Sequence, residues 1–570
     1  MKELVFLQYL IIILGVSALV VFALHRVKIP SIVGFLLAGM LLGPHGLRLI
    51  EDIDNIKTLA EIGVILLLFT IGIEFSLRRF LKMRREVFGI GGLQVIVTIL
   101  FTSFITYRWF QNTNTAIFVG FLIALSSTAI VMKLLSERGE IDSHHGRISI
   151  GTLIFQDLCV VPFMLLIPLM SVGGGVFEVM IISGKALAII LIVLLSARWI
   201  VPVLLHQVVH TRSRELFVIT ILILCFGTAL LTFKLGLSLA LGAFLAGLVI
   251  SESEYAHQAT SEILPFRDSF SGLFFVSVGM LMDLSFFVDN LLLVLSLVAG
   301  IILLKTAVSI FSMLLLGSPL RTSIQSSINI AQVGEFSFVL AVAGLASGLI
   351  SNETYQIFLS ASILTMLLTP FLVQASPFIS SRLSSQRLLK RLESIKEASR
   401  HEEFPRKKTN HVLIIGFGLN GRNLARVLRE ADIPYVILEL NIGTVREMKK
   451  LGEPIYYGDG TKTDILHRFG VKTARVLAIV ISDAASCRNI VQIGRKENPD
   501  LFIIARTRYI SEVDDLKSLG ADEVIPEEFE TSIEIFSRVL SHYQTPRNII
   551  SELAEMIRKD SYKILRQPEA

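Results

Sequence analysis

The sequence predicts a polytopic α-helical membrane protein followed by a Rossmann-like α/β domain. Three observations carry that prediction. Apolar residues make up 53% of the 570 and the mean hydropathy is +0.68, more than a soluble protein of this size needs. The apolar character stops near residue 376, and the last third has an ordinary soluble composition. Within that last third, His411-Val412-Leu413-Ile414-Ile415 reads as a buried parallel strand, and Gly416-Phe417-Gly418-Leu419-Asn420-Gly421 follows it at once. The expected organisation is a transmembrane domain over 1–375, a basic linker over 376–408, a nucleotide-binding domain over 409–530, and a helix with a charged tail over 531–570.

Thirteen spans are expected, near 4–24, 30–50, 57–75, 88–107, 114–135, 148–171, 181–205, 216–233, 236–251, 269–284, 287–316, 326–347 and 354–375. The first is longer than a signal-peptide core and lacks a small-residue cleavage site, so it reads as a retained span. Alternate loops are basic: His25-Arg26-Val27-Lys28, then Arg78-Arg79 with Lys82, Arg84 and Arg85, then Arg138 and Arg147, Arg212 and Arg214, Arg267, and Arg321. The loop between spans 2 and 3 carries Glu51, Asp52 and Asp54 instead. By the positive-inside rule the basic loops are cytoplasmic, which puts the N-terminus outside and the last domain inside. The net charge of +5 therefore reports topology and does not point to nucleic acid. Cys159, Cys225 and Cys487 form neither a metal spacing nor a disulfide framework.

Two spans read as broken. Span 5 holds Ser126-Ser127-Thr128 in mid-membrane, and span 12 holds Gln332-Val333-Gly334-Glu335. Hydroxyl side chains satisfy freed backbone groups and glycine permits unwinding. The two lie seven spans apart, which suits inverted repeats whose discontinuous helices cross at the midplane. Close helix packing is the alternative use of such small residues. Between the two spans, Gln156-Asp157 sits halfway along an apolar run from 148 to 170, where a charge costs ~3 kcal/mol and marks either an ion or proton pathway or a structural pair with a basic residue on a neighbouring helix. Lys305 lies deep in span 11 and either takes a partner, Asp157 or a broken-helix carbonyl, or snorkels to an interface. Glu61 and Glu74 in span 3 are ambiguous, and Asp283 sits at a span end.

In the soluble part, the glycines of the turn allow phosphates to approach a helix N-terminus, and Glu439, 23 positions after Gly416, suits a ribose hydroxyl. Further strand ends place Asp459, Asp483 and Arg506 at the same edge, Arg506 being suited to phosphate; turn or cap chemistry is the plainer use of each. No substrate domain or acid/base constellation accompanies them, so the domain is expected to regulate and not to be an enzyme. Residues 376–399 form either an amphipathic helix on the anionic inner leaflet of the bilayer or a solvated one.

The chain resembles the Kef-type branch of the cation:proton antiporters. The matching stretches are Ser31 to Gly39 with Gly43-Pro44-His45-Gly46, Leu68 to Glu74, Ala124 to Ile130, Phe155-Gln156-Asp157, Phe274 to Met280, and Gly334-Glu335-Phe336, in the family's order. The last domain resembles the RCK, or TrkA-N, module. The resemblance implies a homodimer in the cell (inner) membrane whose core moves in elevator fashion against a dimerisation scaffold. Asp157 would bind K⁺ and H⁺ alternately, with Ser126, Ser127 and Thr128 as further ligands. Lys305 would steady the crossing or pair with Asp157, and Glu335 is the next candidate carboxylate. A neutral Gln156 where sodium-selective relatives carry a second carboxylate implies one proton per cation and favours K⁺. The module implies a regulatory nucleotide, AMP, NAD⁺ or NADH, held by Gly416, Gly418, Gly421 and Glu439. Leu419 replaces an Arg found in glutathione-gated members, and Gln258 to Ser261 dilutes their acidic loop, which weighs against glutathione gating. The expected function is K⁺ efflux in exchange for H⁺ under nucleotide control. A nucleotide-gated K⁺ channel, a Na⁺/H⁺ antiporter and a membrane-tethered nicotinamide enzyme are the alternatives.

Overall fold

A computed structural model describes residues 2–26, 29–50, 54–74, 85–141, 143–171, 201, 203–211, 213–235, 238–251, 253–384, 409–508 and 510–559. Most of the span expected at 181–205, the basic loop from Arg78 to Arg84, Arg212, Glu252, most of the linker and the end of the tail lie outside them. The chain forms two compact units. One comprises Met1–Leu134, Ile148–Ser318 and Ser323–Ser380; the other comprises Leu135–Arg147, Pro319–Thr322 and Ser381–Ala570.

The first unit is helical. Its elements are α1 (Lys2–His25), α2 (Ser31–Leu42), α3 (Asp54–Glu74), a π-helical turn (Arg85–Gly91) running into α4 (Gly92–Phe110), α5 (Thr113–Ala124), α6 (Thr128–Glu137), α7 (His144–Ser171), α8 (Arg214–Lys234), α9 (Leu239–Ser251), α10 (Ala256–Met280), α11 (Leu284–Asp289), α12 (Leu291–Leu315), α13 (Leu320–Asn329), α14 (Glu335–Ala346) and α15 (Asn352–Ser384). Among the described residues, seven helices are long and apolar enough to cross a membrane, and four shorter apolar helices accompany them. Large apolar side chains point outward, Phe104 at 74% exposure, Trp109 at 76% and Leu292 at 84%. Such a surface suits hydrocarbon and not water.

Spans 5 and 12 are broken where the sequence predicts. Residues 125–127 separate α5 from α6, and 330–334 separate α13 from α14. Other limits differ. The span expected over 30–50 is helical only to Leu42. The acidic loop expected before residue 269 is largely the first half of α10, which continues unbroken past Pro265. Asn290 divides the run expected over 287–316 from a short helix before it. α15 continues through residue 376 to Ser384, so helix extends into the expected linker. At α10 and α15 helical hydrogen bonding runs past the border that hydropathy marks, whereas after Leu42 and at Asn290 the helix stops within the apolar run.

In the second unit a six-stranded parallel sheet has the order β3-β2-β1-β4-β5-β6, with β1 Val412–Ile415, β2 Tyr435–Glu439, β3 Ile455–Tyr457, β4 Val476–Ile479, β5 Phe502–Thr507 and β6 Glu523–Pro526. The helices between them are α16 (Leu419–Glu430), α17 (Ile442–Lys450), α18 (Thr463–Arg468), α19 (Ala484–Glu497) and α20 (Val513–Ser518); α21 (Glu527–His542) and α22 (Arg547–Lys559) follow. The doubly wound order reverses between β1 and β4, where ligands enter such sheets. β1 is buried along its whole length, as a central strand must be.

Candidate functional site

The two breaks cross each other. Gly334 N–H donates to the Leu125 carbonyl at 3.2 Å. A Cβ on Gly334 would lie 2.4 Å from the Ser126 carbonyl oxygen, so only glycine lets these backbones touch. Four half-helix ends meet here among buried residues, and the chain supplies its own counter-charges. Lys305 on α12 is completely buried; its Nζ donates to Leu125 O at 2.7 Å, Gln332 O at 2.6 Å and Ser126 Oγ at 2.8 Å. It therefore serves the carbonyl ends of the breaks, the second of the two partners the sequence allowed. Glu335 opens α14, and its buried carboxyl meets the Ser127 hydroxyl and the Ala129 backbone at the start of α6. One carboxylate thus faces the N-termini of both C-terminal half-helices.

Asp157 lies on α7, half-buried, and accepts a hydrogen bond from Thr128 Oγ1 at 2.8 Å. Its neighbour Gln156 is fully buried, and its Oε1 accepts from Ser126 N at 2.8 Å. The hydroxyls of Ser126 and Ser127 are engaged within the crossing. Ser126 Oγ also donates to Ile330 O at 2.8 Å, and Ser127 Oγ accepts from Ile130 N at 3.3 Å. Both hydroxyls help hold the breaks together, and Thr128 faces the carboxylate. The sequence reading missed Gln94 on α4, whose Oε1 accepts from Gln156 Nε2 at 2.8 Å. The signal was a lone amide in an apolar span.

Glu61 is exposed on α3, and the side chain of Glu74 lies outside the described residues. Asp283 caps α11 through Ser285 N and Phe286 N, and hydrogen bonds, first that of the Ser285 hydroxyl, hold its carboxyl below the usual range.

In the second unit Gly416 has φ +99°, and a Cβ on Gly421 would fall 2.2 Å from Gly416 O. These two make the tight turn between β1 and α16. A Cβ on Gly418 would meet nothing within 4 Å, so the space before the α16 N-terminus is open. The carboxylate of Glu439 borders this space, accepting from Phe417 N and Asn441 N at 2.7 Å each. Each oxygen keeps lone-pair capacity for a ribose hydroxyl. The other candidates are engaged locally. Asp459 accepts from Thr461 N at 2.9 Å and from its hydroxyl at 2.7 Å, a turn. Asp483 caps α19 through Ala485 N and also holds Ser486. Burial opposes its ionisation, but His145 and Arg321, in the same unit, together with these hydrogen bonds keep its carboxyl below the usual range. Arg506 is paired with Glu527 and donates to Ser482 Oγ at 3.3 Å, so its charge is already compensated. A cavity of about 510 Å³ opens beside it, lined by Ser482, Cys487, Thr507 and Glu527 among others.

The sodium/hydrogen exchanger transmembrane family model matches residues 11–375, and the TrkA-N domain model matches 412–527. A putative K(+) efflux antiporter KefB of Alkalimonas amylolytica is 34% identical over 566 residues, covering 98% of this chain and 85% of its own. The chain belongs to the Kef-type branch of the sodium/hydrogen exchanger family. The glutathione-regulated potassium-efflux system protein KefC of Salmonella schwarzengrund is 33% identical over 567 residues, covering 98% of this chain and 88% of its own. The sodium proton antiporter MjNhaP1 of Methanocaldococcus jannaschii shares the exchanger fold at 18% identity and a TM-score of 0.51, over 68% of this chain and all of that one. The Kef-type family consists of multi-pass membrane transporters, not enzymes, and carries a soluble C-terminal domain.

Proposed function

We propose that the chain is a secondary active antiporter that moves K⁺ out of the cell in exchange for H⁺, with a nucleotide at the C-terminal domain setting its activity. The observation that carries this reading is Asp157, a half-buried carboxylate beside two crossed helix breaks and hydrogen-bonded to Thr128. Protonated Asp157 releases its proton as K⁺ arrives, and K⁺ leaves as the proton returns. Each ion therefore displaces the other at one site. Thr128 and backbone carbonyls of the breaks supply the remaining oxygens, and Lys305 and Glu335 hold the breaks in place. One titrating carboxylate beside a neutral Gln156 makes the exchange one for one. The K(+) efflux antiporters among its relatives support K⁺ as cargo over Na⁺.

The protein works as a homodimer in the inner membrane, N-terminus outside, with the core moving in elevator fashion. The open α16 N-terminus and the Glu439 carboxylate suit the phosphate and ribose of AMP, NAD⁺ or NADH. Glutathione is not part of this reading, given Leu419.

The test is cation-driven proton movement in proteoliposomes, comparing K⁺ with Na⁺ for wild type and Asp157→Asn. K⁺-dependent flux that disappears in the variant is the expected result; flux that persists moves the site elsewhere, Glu335 first. K⁺ crossing without proton movement would replace antiport with a channel.

A further inference from the structure

A buried amide relay reaches the crossing from outside it. Gln94, Thr98, Gln156 and Ser126 are all completely buried. Their hydrogen bonds form one chain whose direction is forced from one end. Ser126 N–H can only donate, so the atom of Gln156 that faces it at 2.8 Å is the oxygen. The Gln156 amine must then point at Gln94 Oε1, 2.8 Å away, and the Gln94 amine at Thr98 Oγ1, 3.1 Å away. No amide in the chain can flip without opposing donor to donor.

The backbone that this relay grips is the one that builds the ion site. Ser126 precedes Thr128 by two residues, and Thr128 touches Asp157, the neighbour of Gln156. α7 thus holds the break twice, through Gln156 at Ser126 and through Asp157 at Thr128. Of the two α7 side chains, Asp157 is half-buried and Gln156 fully buried, so Asp157 is the one placed to meet an ion. The π-helical turn just before α4 is of the kind that collects at functional sites, and it sets where Gln94 emerges.

We propose that Gln94 is a positioning residue for the cation site: through Gln156 it fixes the broken backbone at Ser126 and so the distance between Thr128 and Asp157. The inference rests on the antiporter reading above and concerns affinity for the ion, not the proton-carrying group itself.

The test measures apparent KM for K⁺ and maximal rate with the full chain in proteoliposomes. The variants are Gln94→Leu, Gln94→Glu, Gln156→Leu and the Gln94→Leu/Gln156→Leu pair, with Asp157→Asn alongside. Interhelical hydrogen bonds within membranes correspond to changes between about threefold and eighteenfold. Gln94→Leu is expected to raise KM by that much, and by more than it lowers the maximal rate. Gln94→Glu keeps an acceptor for Gln156 and should bring KM back toward wild type. The double variant should be no worse than Gln156→Leu alone. An unchanged KM in Gln94→Leu, or a double variant whose KM rises by the product of the two single effects, overturns the proposal. If Gln94→Leu does not fold, Gln94→Asn, too short to reach Gln156, makes the same comparison. Asp157→Asn with wild-type flux would sink the carboxylate reading, whereas the coupling of 94 to 156 is read from KM alone.

Discussion

The crossing in the first unit and the glycine turn in the second solve the same problem in opposite ways. Both bring a helix N-terminus and a carboxylate together, Glu335 at α14 and Glu439 at the turn into α16. At the crossing every end is answered from within, by Glu335 for the N-termini and Lys305 for the carbonyls. At the turn the space before Gly418 is left open. Hydrocarbon offers no substitute partner for a bare helix end, while water does until a ligand displaces it. The difference separates a site that must be complete before it can work from one that is completed by what it binds.

Removing the internal counter-charge should break the comparison most severely. Lys305→Leu removes the charged donor shared by two backbone carbonyls and a hydroxyl in a buried site, a loss on the order of 3 kcal/mol. A thermal midpoint in detergent well below wild type, together with lost transport, is expected. Gly334→Ala comes next. Its Cβ would press on Ser126 O, and overpacking of this kind costs ~1–3 kcal/mol. Gly418→Ala should sharpen the contrast: thermal stability stays at wild type because the new methyl meets nothing, while nucleotide affinity by calorimetry falls about tenfold as the phosphate approach narrows. A Gly418→Ala chain that loses stability instead would show that the turn, like the crossing, is internally filled. The smallest effect concerns Cys487 beside the sheet edge. Burial, and then Glu512 and Asp483, push its thiol up to about 12. The thiolate population at pH 8 is then negligible, so alkylation of this thiol should be slow in native protein, rise only at strongly alkaline pH, and become fast on unfolding.

Much of this was legible in the chain because the signals are local. Three hydroxyl residues at 126–128 and Gly334-Glu335 each mark a break within their own segment, and the strand–glycine–helix order around Gly416 marks the turn. Asp157 stands out by its depth alone. Partners distant in sequence were not legible. Nothing near Arg506 announces Glu527, which arrives with α21, and nothing near Ser126 announces that its hydroxyl answers Lys305 and Ile330. Gln94 was visible as a lone amide in its span, yet its use depends on which face of α4 meets α7. Limits such as the start of α10 and the end of α15 escaped because hydropathy reports the solvent, and backbone hydrogen bonding does not change at that border.

The buried ammonium of Lys305 also orders the birth of the molecule. Two of its acceptors, Leu125 and Ser126, leave the ribosome 180 and 179 residues before it, and the third, Gln332, emerges 27 residues after. When α12 is delivered to the bilayer, its charge is costly until it finds oxygen, and the only oxygens of its final site already made belong to the first break. The N-terminal half therefore has to be in place as a receptor before its counterpart can settle, and the second break closes over a cation that is already anchored.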